Sequence, residues 1–210
     1  MWSLGPQRED HRAGTLPWIL ASASPRRAEL LKGAGQQFDV ETSGVREERR
    51  AGEMARRFAQ RMALEKAKEV AERHPGRWIL AADTVVIVEE QPLGKPRDAA
   101  EASAMLERLS GRRHEVVTAF VLLDRRGRSF SQRLVRSQVF FRSLSRDEIE
   151  AYAATGEPLD KAGGYAIQSG ASGFVEEVRG SLSNVIGLPM DEVEEELRKA
   201  RLWKSTEPRR

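Results

Sequence analysis

A mixed α/β fold, with a twisted sheet flanked by helices, is what this sequence predicts, on three observations. Short β-rich apolar runs alternate with segments of helical period, helix-start signals recur between them, and one long hairpin lies near the middle. At 210 residues with 40% hydrophobic content, the chain can bury one full-sized core or two small lobes sharing a cleft. We expect residues 1–16 to form a loose leader, 17–202 a single domain, and 203–210 a basic tail.

The apolar run Trp18 to Ala21 predicts the first strand. A helix follows, with Ser24 as N-cap, Pro25 at the first helical position and Gly33 as the stop. The next helix spans roughly Gly52 to Arg73, on an apolar stripe of Ala55, Phe58, Ala59, Met62, Ala63, Ala67 and Val70 that only Lys66 interrupts. Trp78 to Ala82 and Val85 to Val88 read as strand buried on both faces, with Asp83 between them. Asp98 and Glu101 form the pattern of a capping box for a helix to about Leu109, ended by Gly111. Strands at about Glu115 to Leu123 and Phe130 to Phe141 are joined by a turn at Arg126-Gly127. Ser145 with Glu148 opens a helix to about Thr155, and Pro189-Met190 opens a last one to about Leu202. A glycine-dense segment, Gly156 to Gly187, separates these two.

Composition removes several classes of function. There is no cysteine, so disulfides, thiolate zinc sites and thiol redox chemistry are excluded, and His11, His74 and His114 are too scattered to suggest a histidine metal site. No apolar run is long enough to span a membrane and the first fifteen residues lack a secretory apolar core, so a cytoplasmic protein without a membrane partner is expected. The formal charge of +3 is carried entirely by the last ten residues. The balanced body does not suit a stable nucleic-acid partner.

Four places could carry chemistry. Arg26 and Arg27 occupy the first turn of the Ser24 helix, where cations are unfavourable by about 0.3–1 kcal/mol each unless an anion joins them; the alternative is that both point to water. Asp83, set in an apolar run, needs a cation, a metal or a set of donors; it is either satisfied by backbone amides at a strand break or serves as a hard-cation ligand or general base. Lys66 on an apolar helix face either snorkels to the rim or reaches a phosphate in an internal cleft. Within Gly156 to Gln168, adjacent glycines let backbone approach a ligand, Lys161 adds a cation and Gln168 has an amide able to read a base edge, although the same glycines could simply make turns. No Walker A loop exists, since Gly94-Lys95 is followed by Pro96. Together these sites offer the cations and carboxylates that a polyphosphate and its metal require.

The motifs Leu20-Ala21-Ser22-Ala23-Ser24-Pro25-Arg26-Arg27, Ala82-Asp83-Thr84-Val85-Val86, Leu93-Gly94-Lys95-Pro96, Leu109-Ser110-Gly111, Asp160-Lys161-Ala162-Gly163 and Asn184-Val185-Ile186-Gly187-Leu188-Pro189 resemble those of Maf-like nucleotide pyrophosphatases, in the family's order. The resemblance covers about residues 18 to 200 and implies a Maf/ITPase-like arrangement of two lobes around a central nucleotide cleft. It implies that Ser22, Ser24, Arg26 and Arg27 hold phosphates, with Lys66, Lys95 and Lys161 adding charge. Asp83 would be the catalytic carboxylate or metal ligand, and Glu47, or its neighbour Glu48, a second acid at the metal. Thr84 and Gln168 would help recognise the base. Ala166 and Ser169 stand where the family often has glycine, which bears on the loop that carries Gln168.

The double arginine resembles the branch that hydrolyses dTTP and UTP to the monophosphate and pyrophosphate with Mg²⁺ or Mn²⁺. A homodimer and a housecleaning role against non-standard nucleotides are further implications. The alternatives are a pyrophosphatase for 7-methyl-GTP-type nucleotides and a non-catalytic nucleotide-binding regulator of cell division.

Overall fold

The computed structural model describes residues 18–205; the expected leader, and all but the first three residues of the expected tail, lie outside the described residues. Seven strands and six helices follow in the order β1 (Trp18–Ala21), α1 (Pro25–Gly33), β2 (Asp39–Glu41), α2 (Ala55–Arg73), β3 (Trp78–Val88), β4 (Gln91–Leu93), α3 (Ala99–Leu109), β5 (Arg113–Leu123), β6 (Ser129–Phe141), α4 (Arg146–Ala154), β7 (Val175–Arg179), α5 (Leu182–Ile186) and α6 (Met190–Lys199). They build one mixed sheet in the order β2-β1-β3-β5-β6-β7, with β4 paired to β3. The expected α/β class is what the structure has.

Several expected boundaries differ. The alternative of a strand break at Asp83 fails: β3 runs through it, paired with β5 from Ile79 to Ile87, with Asp83 opposite Ala119 and Thr84 opposite Thr118. Ser24 flanks α1 but its hydroxyl makes no cap; its N–H donates instead to Ser22 Oγ at 3.2 Å. Asp98 accepts from the Glu101 N–H, yet the Glu101 carboxylate takes the Arg97 N–H, so only half the expected box exists. The Ser145–Glu148 box is complete. The last helix ends at Lys199 and not Leu202, with Arg201 at φ 58° reversing the chain. β2, β4, β7 and α5 were not expected; three to five residues are too few to show a period.

The alternation of β3 distributes the core. Ile79, Ala81, Val85 and Ile87 face α2, while Leu80 and Ala82 face the opposite layer of Leu31, Leu188, Val193 and Leu197. On α2 the contact row is Ala55, Ala59, Ala63 and Ala67. Side chains this small let the helix axis approach the sheet closely, so a long side chain from it can reach through. A third cluster, with Leu106, Leu109, Phe141, Ile149 and Phe174, packs α3 and α4 against the other end of the sheet. The result is one sheet with three hydrophobic clusters packed on it.

On one side of β3 the pairing is interrupted. β1 pairs parallel with Trp78 to Ala81, and β4 pairs antiparallel with Val86 to Val88. Residues 82–85 between them have a strand neighbour only on the β5 side. This notch opens the sheet where Asp83 and Thr84 stand.

β3 and β4 are joined by Glu89-Glu90, at φ 51° and 61°. A two-residue hairpin turn of this hand suits Asn-Gly, and left-handed backbone costs other residues about 1–2 kcal/mol each. We therefore expect the Glu89→Asn/Glu90→Gly double variant to unfold at higher urea, with a gain of about 1 kcal/mol; an unchanged or lower midpoint would show that the Glu89–Arg112 ion pair outweighs the strain.

Candidate active site

A cleft of about 340 Å³ lies at the notch. Its lining includes every residue singled out from the sequence: Ser22, Ser24, Arg26, Arg27, Glu47, Lys66, Asp83, Thr84, Lys95, Lys161 and Gln168. Charge on this lining is uneven, with Arg26, Arg27, Lys66, Lys95 and Lys161 against Glu47, Asp83 and Asp160. A recess with an excess of fixed positive groups is suited to a polyanion.

Asp83 shares the α2-facing parity of β3, which aims it at Lys66. The Lys66 ammonium lies 2.6 Å from Asp83 Oδ1 and 2.6 Å from Glu47 Oε1, and both Lys66 and Asp83 are more than nine-tenths buried. Lys66 therefore neither snorkels nor stands open for a phosphate; it bridges two carboxylates. Likewise, the donor to Asp83 is this ammonium and not a set of amides at a strand break. Glu47 is held from a second direction by Lys95, 3.5 Å from its other oxygen, and is 42% exposed at the side chain. Of the two candidate acids it is Glu47 that meets Lys66, whereas Glu48 contributes its carbonyl oxygen to Arg61 at 2.9 Å.

Burial is the larger influence on Asp83. It pushes the carboxyl above its ordinary value of 3.8, against the pull of Lys66 and Arg27, and the nearby Glu47 adds to the rise. For Glu47, desolvation also acts upward, but Lys66 and Lys95 together outweigh it and the net shift is down. The two acids thus sit on one cation with their proton affinities moved in opposite directions.

Thr84 points the other way and builds the opposite wall. The Arg27 guanidinium donates to Thr84 Oγ1 at 3.0 Å, to Ser22 Oγ at 3.0 Å and to the Gly187 carbonyl at 2.8 Å. Desolvation lowers the Arg27 pKa, with Asp83 and Glu47 opposing. Gly187 sits at φ 128°, a backbone conformation that other residues rarely adopt, and so glycine suits the turn that presents this carbonyl to Arg27. Thr84 Oγ1 also lies 2.9 Å from Thr118 Oγ1, which donates to the Asn184 carbonyl at 3.1 Å. Sequence reasoning did not single out Thr118, nor Asn184 as an individual residue. A polar residue in the apolar run of β5 was the available signal, the same one that marked Asp83.

Arg26, beside Arg27, is half-buried on the cleft wall, and Lys95 is exposed at its mouth. The Lys161 ammonium is bound within its own turn, at 2.6 Å from Asp160 Oδ1 and 2.6 Å from the Glu157 carbonyl. Gln168 is exposed, on a lining that also includes the buried Tyr165 and the half-buried Ile167. The cleft therefore combines charged side chains with an exposed amide.

The chain is 49% identical over 180 residues to the dTTP/UTP pyrophosphatase of Geobacter metallireducens, covering 86% of this chain and 94% of that protein. It is 50% identical over 191 residues to the dTTP/UTP pyrophosphatase of Myxococcus xanthus, covering 90% and 96%. Among solved structures, a HAM1 protein from Coxiella burnetii aligns at TM-score 0.41 and 15% identity over 60% of this chain and 73% of that one, a similarity too low to support conclusions. The model of the family described as Maf-like protein matches residues 17–200. With the family pattern running through nearly the whole described fold, the chain belongs to the Maf-like proteins.

Proposed function

We propose that the chain is a nucleoside triphosphate pyrophosphatase that hydrolyses dTTP and UTP to the monophosphate and pyrophosphate. The observation that carries this reading is the meeting in one cleft of a buried carboxylate and five cationic side chains, with the exposed Gln168 amide on the same lining. The activity named for relatives aligned over almost their full length supports the choice of nucleotides.

In this reading the phosphates lie along the start of α1 with Arg26, Lys95 and Lys161. Arg27 fixes the wall behind them. Lys66 occupies Asp83 Oδ1, so Oδ2 receives the proton of the attacking water as its oxygen bonds to the α-phosphorus. The bond from that phosphorus to the bridging oxygen breaks, and pyrophosphate leaves. A carboxyl pushed upward by burial is a better base near neutral pH than an ordinary aspartate. Fixed charge and in-line positioning supply the rest of the acceleration.

Among the described residues no group of three or more His, Asp or Glu side chains forms a metal cage. Asp83 and Glu47 are nonetheless two acids on the lining of the cleft, which fits Mg²⁺ or Mn²⁺ carried in by the triphosphate, since such ions are often held by one or two carboxylates and the phosphates themselves. When bound there, the ion neutralises charge on the phosphate oxygens.

The test is pyrophosphate release from a panel of nucleoside triphosphates that includes 7-methyl-GTP, with and without divalent cation. We expect dTTP and UTP to be the best substrates, and Asp83→Asn to lower kcat by roughly 10²–10⁴-fold. Preference for the methylated guanine nucleotide, or parent-like turnover by the variant, would refute the reading.

The same substitution separates catalysis from folding. Because the folded-state pKa of Asp83 is raised, its charge opposes folding. The parent's stability falls as pH rises from the ordinary carboxyl value through the folded one, and stays lower above it. Asp83→Asn lacks that fall. Urea unfolding from about pH 4 to neutrality should show the variant gaining on the parent as pH rises; a constant difference would show that Asp83 bears no such cost.

A further inference from the structure

Gln168 stands at the tip of a loop, Ala166 to Gly170, whose two ends meet one pair of side chains. The Tyr152 hydroxyl accepts from the Ala166 N–H at 3.3 Å and donates to Glu157 Oε1 at 2.9 Å. At the other end, the Ser169 hydroxyl donates to the same Oε1, and the Gly170 N–H reaches Glu157 Oε2 at 3.4 Å. The backbone of Gly170 is pressed on the Tyr152 ring, since a Cβ there would lie 2.8 Å from Cε2. Burial acts upward on the Glu157 carboxyl, yet these donors and Lys161 hold it below its ordinary value, so it stays an acceptor at neutral pH.

We infer that Glu157 and Ser169 form a latch of positioning residues that holds the Gln168 loop against the cleft and thereby sets selectivity for the nucleobase. This rests on the pyrophosphatase reading for its substrate, but the latch itself is a matter of geometry. Neither side chain lines the cleft, so both act through Gln168. A loop tip free to move by an ångström loses the aim of its amide, and a missed hydrogen bond to a base weakens binding of the right nucleotide more than it slows the bond-breaking step, which the amide does not touch.

Ser169→Ala removes one exposed hydroxyl and leaves the fold intact, and Ser169→Thr restores it. With dTTP and UTP, we expect Ser169→Ala and Glu157→Gln to raise KM roughly two- to tenfold while kcat stays near the parent's, to narrow the preference over purine triphosphates, and Ser169→Thr to recover the parent's values. Amide hydrogen exchange of residues 166–170 in the full chain should quicken in Ser169→Ala, with exchange in β3 and β5 unchanged. Unaltered KM, selectivity and exchange would overturn the latch, as would a fall in kcat without a change in KM. If the parent instead prefers another nucleotide, the pyrophosphatase reading for dTTP and UTP fails, while the exchange result still decides whether the latch exists.

Discussion

One buried ammonium governs the arrangement of this molecule. Lys66 lies between Asp83 and Glu47, and the two buried members, Lys66 and Asp83, supply each other with a charge partner. A carboxylate within an apolar β3 needs a cation, and a lysine on the alanine face of α2 needs anions. Their mutual attraction ties α2 to the centre of the sheet and draws the segment bearing Glu47 across the cleft. The close approach that makes this possible comes from the row of alanines, so the geometry of the cleft begins as a packing decision several residues away.

The second wall obeys a different logic. Arg27, Thr84, Thr118 and the carbonyls of Gly187 and Asn184 form a chain of hydrogen bonds that joins α1, β3, β5 and the segment before α6. Much of the guanidinium's donor capacity is spent inside the protein. Arg27 thus shapes the cleft as well as charging it, whereas Arg26 and Lys95 keep their heads at the surface of the recess. The adjacent arginines, alike in sequence, are unlike in their surroundings because successive positions in a helical turn face different neighbours.

Much of this was legible in the chain before folding. Asp83 and Lys66 announced themselves as charges interrupting apolar patterns, and the principal strands and helices followed from period and end signals. What could not be read was their pairing, because partners 17 residues apart meet only once α2 and β3 have their relative register. Glu47 lies in a stretch, Arg46 to Arg50, charged throughout, where no pattern separates one acid from the next; only resemblance pointed to it. Of the two readings open for Asp83, the strand break fails because backbone pairing with β5 does not depend on the side chain. β2 and β7 escaped notice because short, charged edge strands owe their existence to their neighbours.

The strict alternation of β3 carries a consequence for how such a chain can change over time. Asp83 serves one face and Thr84 the other, so adding or deleting a single residue between Trp78 and Asp83 would exchange them, sending the acid toward Arg27 and the hydroxyl toward Lys66. Length variation is barred from that strand far more strictly than amino-acid replacement is. The exposed bend at Arg125 to Arg128, between β5 and β6, has no such bookkeeping. Drift in chain length is free to accumulate there without reaching the chemistry.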